Sequence, residues 1–161
     1  MSDKHTVRFP HLFEESSLKP GDRVRYGDLI GHMGSTGTSS FQHIHLDAIR
    51  GLFVKGCWRA KQIISGQFQL DIDFIMRFLC YDLLRGPMVL SYFVDDPRYV
   101  VDVERVLHYT PDQHKGIDIL DFWSRKNPGI FWPFKDLDGI CLSNYFDGSA
   151  YGWAVHIGAE Y

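Results

Sequence analysis

The chain has 161 residues, of which 45% are apolar and 15% aromatic, and it carries a formal net charge of −3. This length and apolar content suffice for one hydrophobic core, so we expect a single domain over 1–161. The charge excludes nucleic-acid binding through a basic surface, and no apolar run is long enough to predict stable membrane insertion.

The start of the chain and its cysteines predict the compartment. Residues 1–5 contain neither an apolar stretch nor a small-residue cleavage site, so we expect no signal peptide. Cys57, Cys80 and Cys141 form no close pair, which is typical of free thiols in a reducing compartment. We therefore expect the protein to be made in the cytoplasm and not to be exported by a signal peptide.

Residues 6–47 are predicted to be β throughout, with turn-forming residues at 19–22, 26–28 and 34–40. Near the end of this segment, His43 and His45 lie two positions apart within an apolar alternation. Because alternate side chains of a strand share a face, both imidazoles are expected to point into one pocket. Such a pair occurs in metal sites and also on partly exposed strands, so a metal site needs further ligands.

The pattern changes between 50 and 110. Apolar residues recur there at helical spacing: Leu70, Phe74, Ile75, Phe78, Leu79 and Leu83. Acidic Asp71 and Asp73 before this pattern and Gly86-Pro87 after it predict one helix near 71–85. The charges on its polar face are balanced, which favours packing against the core over a membrane surface. Residues 88–94 are predicted to form a buried strand.

A second group of candidate ligands follows. His114 and Asp118 are four positions apart, and the β-branched residues after Gly116 favour a strand with both side chains on one side. Three imidazole or carboxylate ligands with one open position are typical of a catalytic zinc site. His108 and Tyr109 either line such a site or pack in the core. The aromatic residues beyond 121 likewise either pack in the core or line a groove for peptide or glycan.

Together these motifs resemble those of the LytM/lysostaphin-type (M23) zinc endopeptidases, which cut peptidoglycan cross-bridges. The resemblance depends on His114-x-x-x-Asp118, on His43-x-His45 and on the segments 9–12, 19–31, 34–37 and 151–158. In the family the His-x-x-x-Asp motif comes first, whereas here it comes last. The chain therefore resembles a circularly permuted member whose core halves lie at 5–49 and 114–161, with 50–110 as a connecting insert.

Two features depart from the family pattern. The Gly-Pro that usually precedes His-x-His is replaced by Phe41-Gln42, which bears on the loop that faces substrate, and the insert matches no part of the family core. The resemblance implies a mainly β fold with one helix (α+β) and an antiparallel sheet at its core. Permutation adds a geometric prediction: the strand at 151–158 lies beside the strand at 6–11, so the chain ends are close neighbours.

The resemblance also implies a site. One Zn²⁺ ion is expected to be bound by His114, Asp118 and His45, while His43 and His11 serve catalysis beside the ion. His108 and Tyr109 are the candidate residues for binding substrate.

The implied function is that of a peptidoglycan hydrolase, a zinc-dependent endopeptidase that cleaves stem-peptide cross-links. With no signal peptide expected, the chain resembles a phage endolysin that leaves the cytoplasm of an infected bacterium through a holin and then reaches the cell wall. A monomer is favoured. The alternatives are a non-catalytic wall-binding or activator protein of the same fold and a zinc amidase.

Overall fold

The computed structural model describes residues 4–37, 39, 41–51, 74, 83–92 and 116–160. This part of the chain is mostly antiparallel β-sheet, with one short helix, α1 (Gly148–Tyr151). The strands are β1 (Lys4–Leu12), β2 (Arg23–Val24), β3 (Leu29–His32), β4 (Ile44–Arg50), β5 (Met88–Tyr92), β6 (Ile117–Asp121), β7 (Gly129–Phe131), β8 (Gly139–Asp147) and β9 (Gly152–Glu160).

Seven of the strands form one sheet in the order β2-β8-β9-β1-β4-β6-β5, and β3 and β7 form a second, two-stranded sheet. All of these pairs are antiparallel. The large sheet curls into a half-barrel. One face of the sheet packs into an apolar core, to which alternate residues of β1, β4, β6 and β9 contribute together with Trp132 and Phe134 after β7: Val7, Phe9, Ile44, Leu46, Ile117, Ile119, Val155 and Ile157.

Strand β1 lies in the middle of the large sheet, between β9 and β4. Its register with β9 begins with Lys4 opposite Glu160, and its register with β4 pairs Arg8 with Asp47. The predicted neighbourhood of the first and last strands is confirmed. Residues from the two ends of the sequence therefore share one continuous hydrogen-bonded surface.

The segment predicted to be helical is described only in part. Phe74 is helical and buried in the core, and the other residues from 71 to 82 lie outside the described ranges. The predicted C-terminal end of this helix is wrong, since Leu83, Leu84 and Arg85 are not helical. The Leu83 carbonyl accepts a hydrogen bond from the backbone N–H of Phe131 at 2.9 Å, and Arg85 has φ 50°.

The strand predicted after this segment is present as β5, but the prediction that it is buried is wrong at Val89, which is 39% exposed. Its position accounts for the exposure, because among the described strands β5 is the last of the large sheet and pairs with β6 alone. Within the described ranges, no helix combines the length and the hydropathy needed to span a bilayer.

Candidate metal centre

The register between β4 and β6 brings two predicted ligands together. His45 lies directly opposite Asp118, and His45 Nδ1 is 3.0 Å from Asp118 Oδ1. The Nε2 atom of His43 lies 3.6 Å from the same carboxylate oxygen. All three side chains are buried. The prediction that the strand of Asp118 lies close to that of His43 and His45 is confirmed.

His11 joins this group from β1. Its ring centroid lies 5.2 Å from that of His43 and 6.0 Å from that of His45. The register of β1 with β9 shifts by one residue between Phe9 and Leu12, and His11 has φ 59°. A bulge of this kind changes the direction in which a side chain points. The left-handed backbone conformation of a non-glycine residue also costs free energy, which the surrounding contacts must offset. The bulge thus turns the His11 imidazole toward the other two histidines.

Thr36, in the Gly-Ser-Thr-Gly turn, holds His11 in this orientation. The Thr36 carbonyl accepts a hydrogen bond from His11 Nδ1 at 2.7 Å, and its hydroxyl donates to the Leu12 carbonyl at 2.6 Å. The same hydroxyl accepts from the backbone N–H of Trp153 at 3.1 Å. A Cβ atom on Gly152 would lie 2.3 Å from the Thr36 hydroxyl, so glycine permits this close approach.

A second glycine permits the close approach of β4 and β6. A Cβ atom on Gly116 would lie 2.5 Å from the carbonyl oxygen of Leu46 and 2.8 Å from Nε2 of His45. Both distances are shorter than any ordinary van der Waals contact. The residue immediately before β6 must therefore lack a side chain for His45 to occupy its observed position.

Two charged residues behind the histidines were not predicted from the sequence. Asp47 Oδ2 lies 3.3 Å from His45 Nε2, and the same carboxylate pairs with Arg8 at 2.5 Å. Arg8 in turn lies over the Tyr151 ring, 4.2 Å from its centroid. Asp47 lies two positions after His45, and this spacing in a strand indicates that both side chains lie on the same face of β4. Arg8 gave a weaker signal, as a charged residue between the apolar residues Val7 and Phe9.

These surroundings shift the ionisation of the three imidazoles in different directions. Burial, followed by the nearby His45, lowers the pKa of His11 to about 4, and burial lowers the pKa of His43. Burial opposes the charged form of His45 too, but hydrogen bonds to Asp118 and Asp47 outweigh it and raise its pKa to about 9. Burial also opposes ionisation of Asp47, whereas the Arg8 charge prevails and lowers its pKa to about 2.

The donors present are of the type that zinc prefers. An imidazole nitrogen and a carboxylate oxygen face each other, and a second carboxylate contacts the far nitrogen of the ring, as is common around histidine ligands. Among the described residues no group of three His, Cys, Asp or Glu side chains could hold a metal ion by itself. His114, His108 and Tyr109 lie outside the described ranges.

The Phe41-Gln42 sequence before His43 connects the site to the loop between β6 and β7. Gln42 Nε2 donates to the Arg125 carbonyl, and Gln42 Oε1 accepts from the backbone N–H of Asn127, both at 2.7 Å. The Phe41 ring packs 4.9 Å from that of His43. These contacts hold one wall of the histidine cluster against the loop between β6 and β7.

Known proteins add no further information about this cluster. Comparison of the chain with protein-family models, with curated proteins and with solved structures returned no match.

Proposed function

We propose that this protein is a zinc-dependent endopeptidase that cleaves the stem-peptide cross-links of peptidoglycan, and that it acts as a phage endolysin. The observation that carries the proposal is the convergence of His45, Asp118, His43 and His11. These four are the described members of the five-residue set that the M23-like motifs imply. They come from strands β1, β4 and β6 and from the residue before β4, so their meeting is not a consequence of closeness in sequence.

The metal ligands in this proposal are His45, Asp118 and His114. Two imidazoles and one carboxylate match the donor set of catalytic zinc sites that keep a position open. A zinc ion held there supplies Lewis acidity, lowering the pKa of water toward 7 and polarising the carbonyl of the bond to be cut.

His11 and His43 perform the proton transfers. Nδ1 of His11 donates to the Thr36 carbonyl, and Nδ1 of His43 donates to the Phe41 carbonyl at 2.9 Å. Because a carbonyl oxygen can only accept, each neutral ring carries its proton on Nδ1 and presents Nε2 as the basic nitrogen. One ring accepts the proton of the attacking water at Nε2, and that same proton then passes to the nitrogen of the amine as the peptide bond breaks.

The adjacent chain ends support the circularly permuted arrangement. Lys4 opposite Glu160 means that a short connection could join the last strand to the first without disturbing the sheet. Joined in this way, the motifs would run in the order found in the M23 family, with His-x-x-x-Asp first and His-x-His last. The permutation therefore changes the order of the motifs along the chain without moving the residues of the proposed site.

Muropeptide analysis tests the activity. Purified protein reconstituted with zinc is incubated with peptidoglycan sacculi, and the soluble products are identified by mass spectrometry, with His43→Ala as the inactive control. The proposal predicts cleaved cross-bridges. Glycan chains freed of stem peptides would instead identify an amidase, and no new products from a zinc-loaded protein would identify a binding or activator protein.

A further inference from the structure

A row of buried charged and polar side chains crosses three adjacent strands of the large sheet. Arg8 on β1 lies opposite Asp47 on β4, and His45 on β4 lies opposite Asp118 on β6. Asp47 and His45 are two positions apart, so they lie on the same face of β4. Because the strands are adjacent in the order β1-β4-β6, the four side chains form a row that runs across the strands, from Arg8 to Asp118.

The contacts along this row are specific. Arg8 Nε donates to Asp47 Oδ1 at 3.0 Å while Arg8 Nη2 contacts Oδ2 at 2.5 Å, a two-pronged pairing that fixes the plane of the carboxylate. Oδ2 of Asp47 is also the atom nearest to His45 Nε2. Arg8 and Asp47 are each only 1% exposed. A buried charge is destabilising without a partner. The position of Arg8 therefore restricts the orientation of the Asp47 carboxylate, which in turn restricts that of the His45 ring.

We propose that Asp47, held in place by Arg8, is a positioning residue that orients His45 for metal binding. The carboxylate would accept the proton of Nε2, and Nδ1, which otherwise hydrogen-bonds Asp118, would release its proton when the metal binds and offer its lone pair on that side. The inference rests on the proposed zinc site, but it concerns the affinity and geometry of that site and not the bond that is cut.

A second buried carboxylate in the same sheet provides a matched control. Asp121 is 6% exposed and accepts two-pronged hydrogen bonds from Arg125, at 2.9 Å from Nε and 3.0 Å from Nη2. It also accepts from the backbone N–H of Arg125 at 2.9 Å. Asp121 thus resembles Asp47 in burial and in its arginine partner, while it serves the loop after β6.

Zinc affinity, measured by competition with a chromophoric chelator, tests the inference in the full chain. Asp47→Asn is expected to weaken zinc binding 10–100-fold, the effect usual for a residue that orients a metal ligand. Asp121→Asn is expected to retain wild-type affinity although it too removes the charge of a buried carboxylate that is paired with an arginine. With Co²⁺ in place of zinc, the visible absorption bands are expected to shift in Asp47→Asn and to stay unchanged in Asp121→Asn.

Arg8→Lys is the second variant, since it keeps the charge but loses the two-pronged contact and is expected to weaken zinc binding in the same direction. If Asp47→Asn fails to fold, Arg8→Lys alone decides the question. Wild-type affinity in a folded Asp47→Asn or in Arg8→Lys would overturn the inference while leaving the proposed function intact. A wild-type chain that binds no zinc would overturn both. A chain that binds zinc with the expected differences but cuts no cross-bridge would overturn only the function.

Discussion

The imidazole rings of His11 and His43 lie 5.2 Å apart between centroids and are tilted by 40° to each other. Each ring is fixed by a hydrogen bond from Nδ1 to a backbone carbonyl, that of Thr36 for His11 and that of Phe41 for His43. Two imidazoles held so close by separate elements can act on the same small group of atoms. Their roles can therefore be separated from those of the metal ligands by experiment.

We predict that His11→Ala and His43→Ala each lower kcat by about 10²–10⁴-fold while zinc content stays at the wild-type value, because the proposed function gives both residues a role in proton transfer and not in metal binding. The double variant is expected to lose less than the product of the two single losses, since groups that act as a unit are not additive. Steady-state kinetics on a cross-linked peptide and metal analysis provide the two readouts. Activity within a few-fold of wild type in both single variants would contradict the assignment.

The proposed ligands are expected to behave differently. His45→Ala, Asp118→Ala and His114→Ala each remove one of three ligands, so zinc is expected to be lost from the purified protein. His32→Ala is the control, because its exposed imidazole lies on β3 and contacts Glu14 at 4.0 Å. Metal analysis after reconstitution and gel filtration measures occupancy. Full occupancy in Asp118→Ala would remove that residue from the ligand set.

Gly116→Ala is expected to disturb the site without removing any ligand. The added methyl group would lie within 3 Å of the Leu46 carbonyl and of the His45 ring, so β6 or the imidazole must shift. Overpacking of this kind costs about 1–3 kcal/mol. We expect a lower melting temperature together with weaker zinc binding. Gly21→Ala is the comparison, because Gly21 has φ 96° with nothing within 4 Å, so only its backbone conformation is affected. Unchanged zinc affinity in Gly116→Ala would show that the position of the His45 ring does not depend on the absence of a side chain at residue 116.

Chain connectivity can be changed at the ends. A variant that joins Tyr161 to Met1 through a short Gly/Ser linker, and opens the chain shortly before His108, is expected to fold and to bind zinc. The reason is that Lys4 and Glu160 are already paired neighbours. Circular dichroism, zinc content and muropeptide release compare it with the parent chain. An unfolded product, obtained with linkers of several lengths, would argue against the permuted arrangement.

Acid is expected to destabilise the fold partly through His156. This residue is fully buried, its ring stacks on Tyr145, and burial together with the nearby Arg8 charge lowers its pKa to about 3. The unfolded chain takes up the proton near pH 6.5 and the folded chain does not, so stability falls as pH decreases from 6.5 toward 3. The slope for one such group is about 1.4 kcal/mol per pH unit.

Urea unfolding at several pH values measures this slope. His156→Phe keeps an aromatic ring opposite Tyr145 and removes the titrating group, so we expect a flatter decline in the free energy of unfolding between pH 6 and 4. An equal slope in both proteins would assign the acid sensitivity to other groups.

Much of the architecture around the site was accessible from the sequence. The spacing of His43, His45 and Asp118 within apolar alternations predicted strands, and the M23-like motifs predicted which strands are adjacent. Local pattern could not show that Asp47 and Arg8 meet, because that contact depends on the register between β1 and β4. Nor could it show the left-handed conformation of His11, which is maintained by Thr36 in a distant turn.

The misjudged boundaries have a physical origin as well. Leu83 and Leu84 continue the apolar run of the predicted helix, but their carbonyls accept hydrogen bonds from the backbone N–H of Phe131 and from Arg125 Nη2, respectively. Tertiary hydrogen bonds there override local propensity. The exposure of Val89 follows from the place of β5 at the end of the described strands, which its own apolar residues do not reveal.

The central position of β1 has a consequence for how the molecule forms. The β8–β9 pair is close in sequence and can form early, whereas β1 must find both β4 and β9 across long stretches of chain. Such distant pairings form slowly, because the chain loses the conformational entropy of closing a large loop before the strand contacts can stabilise it. His11, His45 and Asp118 come together only through these late steps. During refolding, zinc uptake at the proposed site would therefore lag behind the appearance of β-structure and would mark the moment at which β1, β4 and β6 have paired.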